Sequence, residues 1–300
     1  MTAPAKSAIR RARHAAVDAY YSVAASPAFR PAHNRLRRWW HRKRYGIDSE
    51  FMFQAIELEI NSMCNRRCSY CPNDTGRRPS GYMTDTLFRK IIGELRQMDF
   101  DGNVSYHFYG EPLLDKRLLE FVRYTAENVP KCRPVIYSNG DFLTLDLFRE
   151  YVAAGVGLFL ITQHDNTMPA NLDEIFRGGT PAELDHITVG FASANRMNNR
   201  SGLIKTISVR GRPIATPCDW PLATFVITMR GNVVPCCNDY YETSIVGNVE
   251  TQSLVDVWCS PAFEAFRDAL SQGDRGYSPL CANCDYEPTP VQLERIVARV

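Results

Sequence analysis

A chain of 300 residues, 45% hydrophobic and 23% charged, has the balance of a soluble globular enzyme and the length for one large or two modest domains. Its ten cysteines are too sparse for a small disulfide scaffold, no run of about 18 apolar residues offers a transmembrane helix, and no apolar signal-peptide core lies near the start. The net charge of +2 conceals an asymmetry: residues 1–46 hold eleven Lys/Arg against the single acid Asp18, leaving 24 basic and 32 acidic residues elsewhere. This head ends in Arg35-Leu36-Arg37-Arg38-Trp39-Trp40-His41-Arg42-Lys43-Arg44. Its charge suits an anionic membrane surface, an acidic partner or a polyphosphate-bearing ligand. It equally suits a solvated, partly helical extension, and an Arg-rich, acid-poor start also has the look of an organelle transit peptide. No nucleic-acid partner is expected.

From about residue 52 the pattern alternates strand, loop and helix. Ala55–Asn61 reads as a strand that runs directly into a cysteine-rich loop ending near Asn73. Thr84 reads as the N-cap of a helix through Leu87, Ile91, Ile92 and Leu95. Val104–Phe108 is a second strand ending in Tyr109-Gly110-Glu111-Pro112, and a helix through Leu118, Leu119, Phe121 and Val122 follows. Pro134–Tyr137 is a third strand stopping at Ser138-Asn139-Gly140; after a helix over 144–154, Leu158–Thr162 is the fourth. This alternation implies an α/β fold, a parallel sheet closed part-way into a TIM-like barrel, with its site at the C-terminal edge of the strands.

Residues 163–216 are less regular, and the polar stretch Asn195 to Ser201, with Arg196 and Arg200, reads as a loop. Beyond Cys218, Thr224–Met229 and Val233–Pro235 read as a hairpin about Arg230-Gly231-Asn232. A helix from Leu254 to about Leu270 follows, with a core-forming stripe. The expected organisation is a basic extension (1–46), a partial barrel (50–205), a small α+β domain (206–290) and a tail (291–300), with the boundary near 203–217.

Seven of the ten cysteines sit at metal-like spacings, which points to a reducing compartment, the cytoplasm. Cys64, Cys68 and Cys71 form a Cys-x3-Cys-x2-Cys loop. Three thiolates on one tight loop can hold three irons of a [4Fe–4S] cluster and leave the fourth open for chemistry. Zinc prefers four closed ligands in paired clips and fits this loop poorly. A second set, Cys218, Cys236, Cys281 and Cys284, closes a site for zinc or for a second cluster, and the residues alone do not choose. Cys237 should point away from its neighbour Cys236 in an extended segment. Cys132 and Cys259 read as ordinary buried thiols. At the end of the second strand Gly110 permits a close backbone approach to a ligand, and Glu111 can accept from a cation. Ser138, Asn139 and Gln163 end the third and fourth strands on the same rim, where they either face a ligand or satisfy their own backbone.

The three-cysteine spacing, with Tyr70 just before its third member, resembles the signature of the radical S-adenosylmethionine (SAM) enzymes, whose open iron chelates SAM. On that resemblance Gly110, Glu111 and Pro112 match the segment that binds the methionyl ammonium. Ser138, Asn139 and Gln163 suit the ribose hydroxyls and the SAM carboxylate. Tyr109 stands where many members have another glycine. The Gly231-x4-Cys236 and Cys281-x2-Cys284 elements resemble the twitch domain, the shortened form of the SPASM domain, which implies one auxiliary [4Fe–4S] cluster. Glu57–Asn73, Tyr106–Leu114, Arg133–Thr144, Thr162-Gln163-His164, Asn199–Gly202, Gly231–Cys236 with Asp239, Gly247-Asn248 and Leu280–Cys284 are together similar to radical SAM dehydrogenases that oxidise a secondary alcohol of an aminocyclitol.

The implied function is oxidation of an alcohol of an aminocyclitol, aminoglycoside or sugar to a ketone, in an antibiotic-type biosynthetic pathway. A 5′-deoxyadenosyl radical takes the carbinol hydrogen and the electron leaves through the auxiliary cluster, with a flavodoxin- or ferredoxin-type reductant supplying the first cluster. Arg200 matches an arginine that contacts the reacting substrate there; a guanidinium holds its proton too firmly for a base, so it is assigned orientation and charge stabilisation. His164 or His107 is the candidate proton acceptor. Where those dehydrogenases are expected to carry an aromatic residue and a glutamate against substrate, this chain has Cys237 and Asn238, which removes an ion-pair partner for an amine. The alternatives are a SPASM-type peptide-modifying enzyme, a redox-neutral epimerase or dehydratase, and a non-catalytic electron-transfer module.

Overall fold

The computed structural model describes residues 30–76, 78–165, 167–192, 198–204 and 214–288. The first 29 residues of the basic head, Arg196, most of the boundary expected at 203–217 and the tail 291–300 lie outside the described residues. Eight strands form one sheet in the order β5-β4-β3-β2-β1-β6-β7-β8. They are β1 (Ala55–Leu58), β2 (Asn103–Ser105), β3 (Arg133–Ser138), β4 (Leu158–Gln163), β5 (Ile187–Phe191), β6 (Thr224–Ile227), β7 (Asn232–Val234) and β8 (Gly247–Asn248). Neighbours from β5 through β6 run parallel, and β7 and β8 return antiparallel.

The helices follow from their sequence stripes. Helix α1 is Arg30–Tyr45, α2 Asp85–Gln97, α3 Leu118–Asn128, α4 Leu145–Ala153 and α5 Ala170–Gly178. Thr84 caps α2 through the Leu87 N–H, and Leu87, Phe88, Ile91, Ile92 and Leu95 are its buried face, as the spacing predicts. Thr144 caps α4 in the same way. The helix expected over 254–270 is two: α6 (Leu254–Trp258) and α7 (Pro261–Ser271). Pro261 has no N–H for the preceding turn, and Ser260 starts a new helix by accepting from the Phe263 N–H at 3.2 Å. The fifth strand lies in the stretch that reads as irregular; its middle residues are partly exposed, so no clean alternation marks it.

The hairpin of β6 and β7 forms as expected, but it is not a separate sheet. Its first strand lies parallel to β1, with Ile56 opposite Phe225 on one side and Val104 on the other. An aromatic joint seals this seam. Trp258 packs edge-on to Phe53, Phe225 and Phe263 with ring centroids 5.1–5.6 Å apart, and its Nε1 donates to the Phe51 carbonyl at 2.9 Å. Helix α1 docks through His41 and Tyr45, while Leu36, Trp39 and Trp40 are exposed.

Beside the hairpin a buried ionic triad ties three segments. Arg78 donates to both oxygens of Glu59 (2.6 and 2.9 Å) and to Glu242 Oε1 (2.8 Å), and it stacks over Phe108 and Tyr240. Glu59 also accepts from the Met229 N–H at 3.1 Å. Removing one partner of a buried pair strands the other charge. Arg78→Met is therefore expected to lower stability by about 3–5 kcal/mol in urea denaturation. Adding Glu59→Gln to that variant should recover part of the loss, because the stranded carboxylate is gone.

Candidate active site

The C-terminal ends of β1 to β4 carry the polar residues singled out in the sequence, and they are joined in one network. Glu111 is its centre. Ser138 Oγ donates to Glu111 Oε1 (2.7 Å), the Asn139 N–H donates to Oε2 (2.9 Å) and the Leu113 N–H donates to Oε1 (3.1 Å). Gln163 Nε2 donates to the Asn139 carbonyl (2.7 Å), and Asn139 Nδ2 donates to Asn65 Oδ1 in the cysteine loop (2.9 Å). The Glu111 carboxylate is thus a brace for the rim. Burial pushes its proton affinity up, and the Asn139 N–H and Ser138 hydroxyl oppose that shift. Pro112 opens a 3-10 turn over 112–114 that Glu111 caps. Gly110 is needed for a close approach, although its neighbour is protein: a Cβ there would stand 2.2 Å from the Asn61 carbonyl.

The cysteine loop is clamped to this rim by a residue the motif reading passed over. Arg66 donates to both oxygens of Asp141 (2.7 and 2.6 Å), which lies just after β3, and to Asp165 just after β4 (2.9 Å). The signal available in the sequence was its position between two cysteines. Tyr70 bonds His164 through its hydroxyl and the ring Nδ1. His164 therefore sits beside the cysteine loop, where burial and Arg66 lower its proton affinity. No described interaction joins it to Arg200, so the two residues expected to share the reaction are held in different settings.

Cys64, Cys68 and Cys71 are partly exposed, and each lies within the electrostatic reach of the other two. The second set is more enclosed, with Cys218 and Cys281 buried and Cys236 and Cys284 partly exposed. Cys218, Cys236, Cys281 and Cys284 line one small cavity closed by Trp220, Leu270 and Tyr286. Burial pushes Cys218 and Cys281 up to about 12, so without metal these thiols keep their protons. Among the described residues no three Cys, His, Asp or Glu side chains form a site for a single metal ion. Four soft sulfur donors around a closed volume fit a polynuclear cluster with one iron per thiol. Cys237 does not line that cavity and packs against the cluster of Phe108, Tyr109 and Tyr240. It lies in a turn after β7, where the Asp239 N–H donates to the Cys236 carbonyl at 3.2 Å, so the extended segment expected there does not form. Cys132 and Cys259 are partly buried against the main core.

Between the two cysteine sets lies a group of polar side chains with buried atoms left unpaired. Arg200 feels Cys71 from one set and Cys236 from the other. Its Nη1 donates to Asn238 Oδ1 at 3.2 Å and reaches Cys237 Sγ at 4.0 Å, while its Nε is buried and unpaired. Glu57 Oε2, His107 Nδ1 and the Tyr109 hydroxyl are buried and unpaired as well. Arg200 lies over the Tyr109 ring at 5.9 Å, and His107 stacks on Tyr137 at 4.2 Å. Buried polar atoms are nearly always bonded, so a convergent set of orphans marks a place for a polar ligand.

Burial raises Glu57 to about 8 against the pull of Arg200, and burial with Arg200 lowers His107 to about 4. Glu57 escaped the sequence reading. Its trace there was the alternation of Glu57 and Glu59 with Ile56, Leu58 and Ile60, which places two acids on one face of the strand. Arg200 owes its place to a strained turn: Arg200, Ser201 and Gly202 have φ of 48°, 56° and 83°. Asn199 holds that turn by accepting from the Gly202 N–H (3.1 Å) and donating from Nδ2 to the Asn283 carbonyl (2.9 Å), inside the terminal cysteine clip.

Comparison with known proteins gives this geometry a family. Residues 58–200 match the radical SAM superfamily and residues 218–285 match the SPASM iron–sulfur cluster-binding domain. The S-adenosyl-L-methionine-dependent 2-deoxy-scyllo-inosamine dehydrogenase of Niallia circulans is 38% identical over 245 residues, 78% of this chain and 93% of that protein. A tungsten-containing aldehyde ferredoxin oxidoreductase cofactor-modifying protein of Pyrococcus furiosus is 29% identical over 103 residues, 34% of this chain and 28% of that protein. The crystal structure of BtrN in complex with AdoMet and 2-DOIA superposes with a TM-score of 0.73 at 36% identity, covering 78% of this chain and 94% of that one. BtrN in an open conformation gives 0.62 at 35% identity, covering 78% and 93%. AdoMet-bound anSMEcpe, 12% identical with a TM-score of 0.51 and covering 76% and 88%, shares the fold. The motif, the two cysteine sets and a relative matched over nearly its whole length agree: the chain belongs to the radical SAM superfamily, among its members with a C-terminal SPASM-type iron–sulfur domain.

Proposed function

We propose that the protein is a radical SAM dehydrogenase that oxidises a secondary alcohol of an aminocyclitol, aminoglycoside or sugar to a ketone. The observation that carries this reading is the orphaned polar set of Arg200, Glu57, His107 and Tyr109 between the two cysteine sites. A small polyhydroxylated molecule has the hydrogen-bonding groups to satisfy it. In this reading Cys64, Cys68 and Cys71 hold the SAM-binding [4Fe–4S] cluster, and Cys218, Cys236, Cys281 and Cys284 hold the auxiliary one. When bound, SAM and the clusters supply the hydrogen-abstracting radical and the acceptor for the electron released on oxidation.

The protein's own residues do the rest. Gly110, Glu111, Pro112, Ser138, Asn139 and Gln163 shape the SAM-side rim, and Tyr70 flanks it. Arg200 orients the reacting oxygen and stabilises negative charge as its proton leaves. Of the two candidate proton acceptors, His107 lies within this group, where burial and Arg200 hold it neutral and its free Nδ1 suits a hydrogen bond to a substrate hydroxyl more than a strong base; His164, bound to Tyr70, belongs to the cofactor side. Glu57, held protonated by burial, donates to a substrate hydroxyl. With Arg200 and Asn238 side by side, the substrate group they meet is a hydroxyl or another acceptor oxygen, since a guanidinium repels a free ammonium. The reading puts the enzyme in the cytoplasm with a flavodoxin- or ferredoxin-type reductant.

Anaerobically reconstituted protein given SAM, a reductant and a panel of aminocyclitols, aminoglycosides and sugars should yield a product lighter by two hydrogens, one-to-one with 5′-deoxyadenosine, read by mass spectrometry. Deoxyadenosine with a product of unchanged mass would replace the dehydrogenase by a redox-neutral reaction. Glu57 gives a separate check on the cavity. Its proton is kept in the folded state up to about 8 but lost near 4.5 on unfolding. The folded state therefore binds more protons in that window, and stability falls as pH rises through it. Glu57→Gln should flatten this decline in urea titrations of the metal-free protein, with the variant gaining on the parent from pH 4.5 to 8.

A further inference from the structure

Asn238 follows two residues behind the auxiliary-set cysteine Cys236 and is 2% exposed. Its amide faces two ways. Oδ1 accepts from Arg200 Nη1 at 3.2 Å, and Nδ2 donates to Cys284 Sγ at 3.5 Å. The orientation of the amide is dictated by chemistry, because a guanidinium only donates; the oxygen must face Arg200, and the N–H groups are left for the sulfur. Cys284 Sγ also accepts from the Tyr286 N–H at 3.4 Å. Among the described residues, Cys284 is the one auxiliary-set cysteine that receives a side-chain donor. Within the orphaned set Arg200 is thus steered by a residue that also touches the second cysteine site.

A hydrogen bond to a ligating thiolate withdraws electron density and favours the more negative, reduced state of a cluster, which raises its reduction potential. A carboxylate in the same place would also pair with Arg200, but it would present only lone pairs to the sulfur. The amide is the side chain of this size that serves both neighbours. We propose that Asn238 is a positioning residue that fixes Arg200 against the substrate and, through its N–H···S bond to Cys284, raises the reduction potential of the auxiliary cluster. The inference rests on Cys218, Cys236, Cys281 and Cys284 being that cluster's ligands.

The test isolates the second cluster by placing Asn238 variants in a Cys64→Ala, Cys68→Ala, Cys71→Ala background. Iron and sulfide are assayed first, and the potential is then read by redox titration with EPR detection of the reduced cluster. The background protein should hold one cluster. Asn238→Leu, similar in size and uncharged, should keep that cluster and shift its potential to a more negative value, and Asn238→Ala, which adds no bulk, should shift it in the same direction. Background protein that binds no iron would remove the ligand assignment and the inference with it. A cluster present in the background, with the potential of both variants equal to or above the parent's, would overturn the inference and leave the ligand assignment standing.

Discussion

The alternation of Ala55-Ile56-Glu57-Leu58-Glu59-Ile60 is the constraint on which this molecule turns. With β1 paired to β2 on one side and β6 on the other, Ile56, Leu58 and Ile60 are buried on one face, and both glutamates are forced to the opposite, equally buried one. A slip of one residue would send the acids into the helix-facing core, so the register is strongly held. The two acids are then treated differently. Glu59 accepts from Arg78, which Glu242 shares, and from the Met229 N–H, and becomes a structural tie. Glu57 receives no such partner for Oε2; it stays protonated and faces the space that Arg200 enters. One strand thereby carries both a brace and part of a ligand site.

The same logic of shared polar ends builds the rim. Parallel strands finish at one edge, so Glu111, Ser138 and Gln163 arrive together although they are far apart in the chain. Their bonds to one another, and the Arg66 clamp on Asp141 and Asp165, hold the cysteine loop against the strand ends before any cofactor is present. This is preorganisation: the groups are ordered by the fold, so binding need not order them. The strained turn at Arg200 and Ser201 is the corresponding device on the other side, and it is held by Asn199 against the terminal cysteine clip.

Fold and site were legible in the sequence to different depths. The cap at Thr84, the helix beginning near Thr144 and the strand cores are local patterns, and the structure has elements where they place them, although β1 and β2 end three residues earlier than expected. The union of β6 with β1 was not legible, because a hairpin strand buried on both faces looks the same whether it joins a new sheet or extends an old one. The split of the helix at Pro261 was visible but was outweighed by a continuous apolar stripe from Leu254 to Leu270. Gly110 makes room for the Asn61 carbonyl, a close approach that no pattern in the sequence announces. Tyr70 and His164 were expected to serve the cofactor and the proton separately, and they are bonded to each other.

The sequence by itself determined the chemistry available to this protein: which side chains can hold iron, which strand ends carry polar groups and which family the spacing belongs to. These follow from residue type and short-range spacing, which a linear chain records directly. Only the tertiary structure decided which of those groups meet. Arg200, Glu57, His107 and Asn238 are separated by tens to more than a hundred residues, and their convergence depends on sheet order and on a left-handed turn. The protonation of Glu57 and His107 was decided there too, since burial and a neighbouring guanidinium are properties of the folded interior and have no counterpart along the chain.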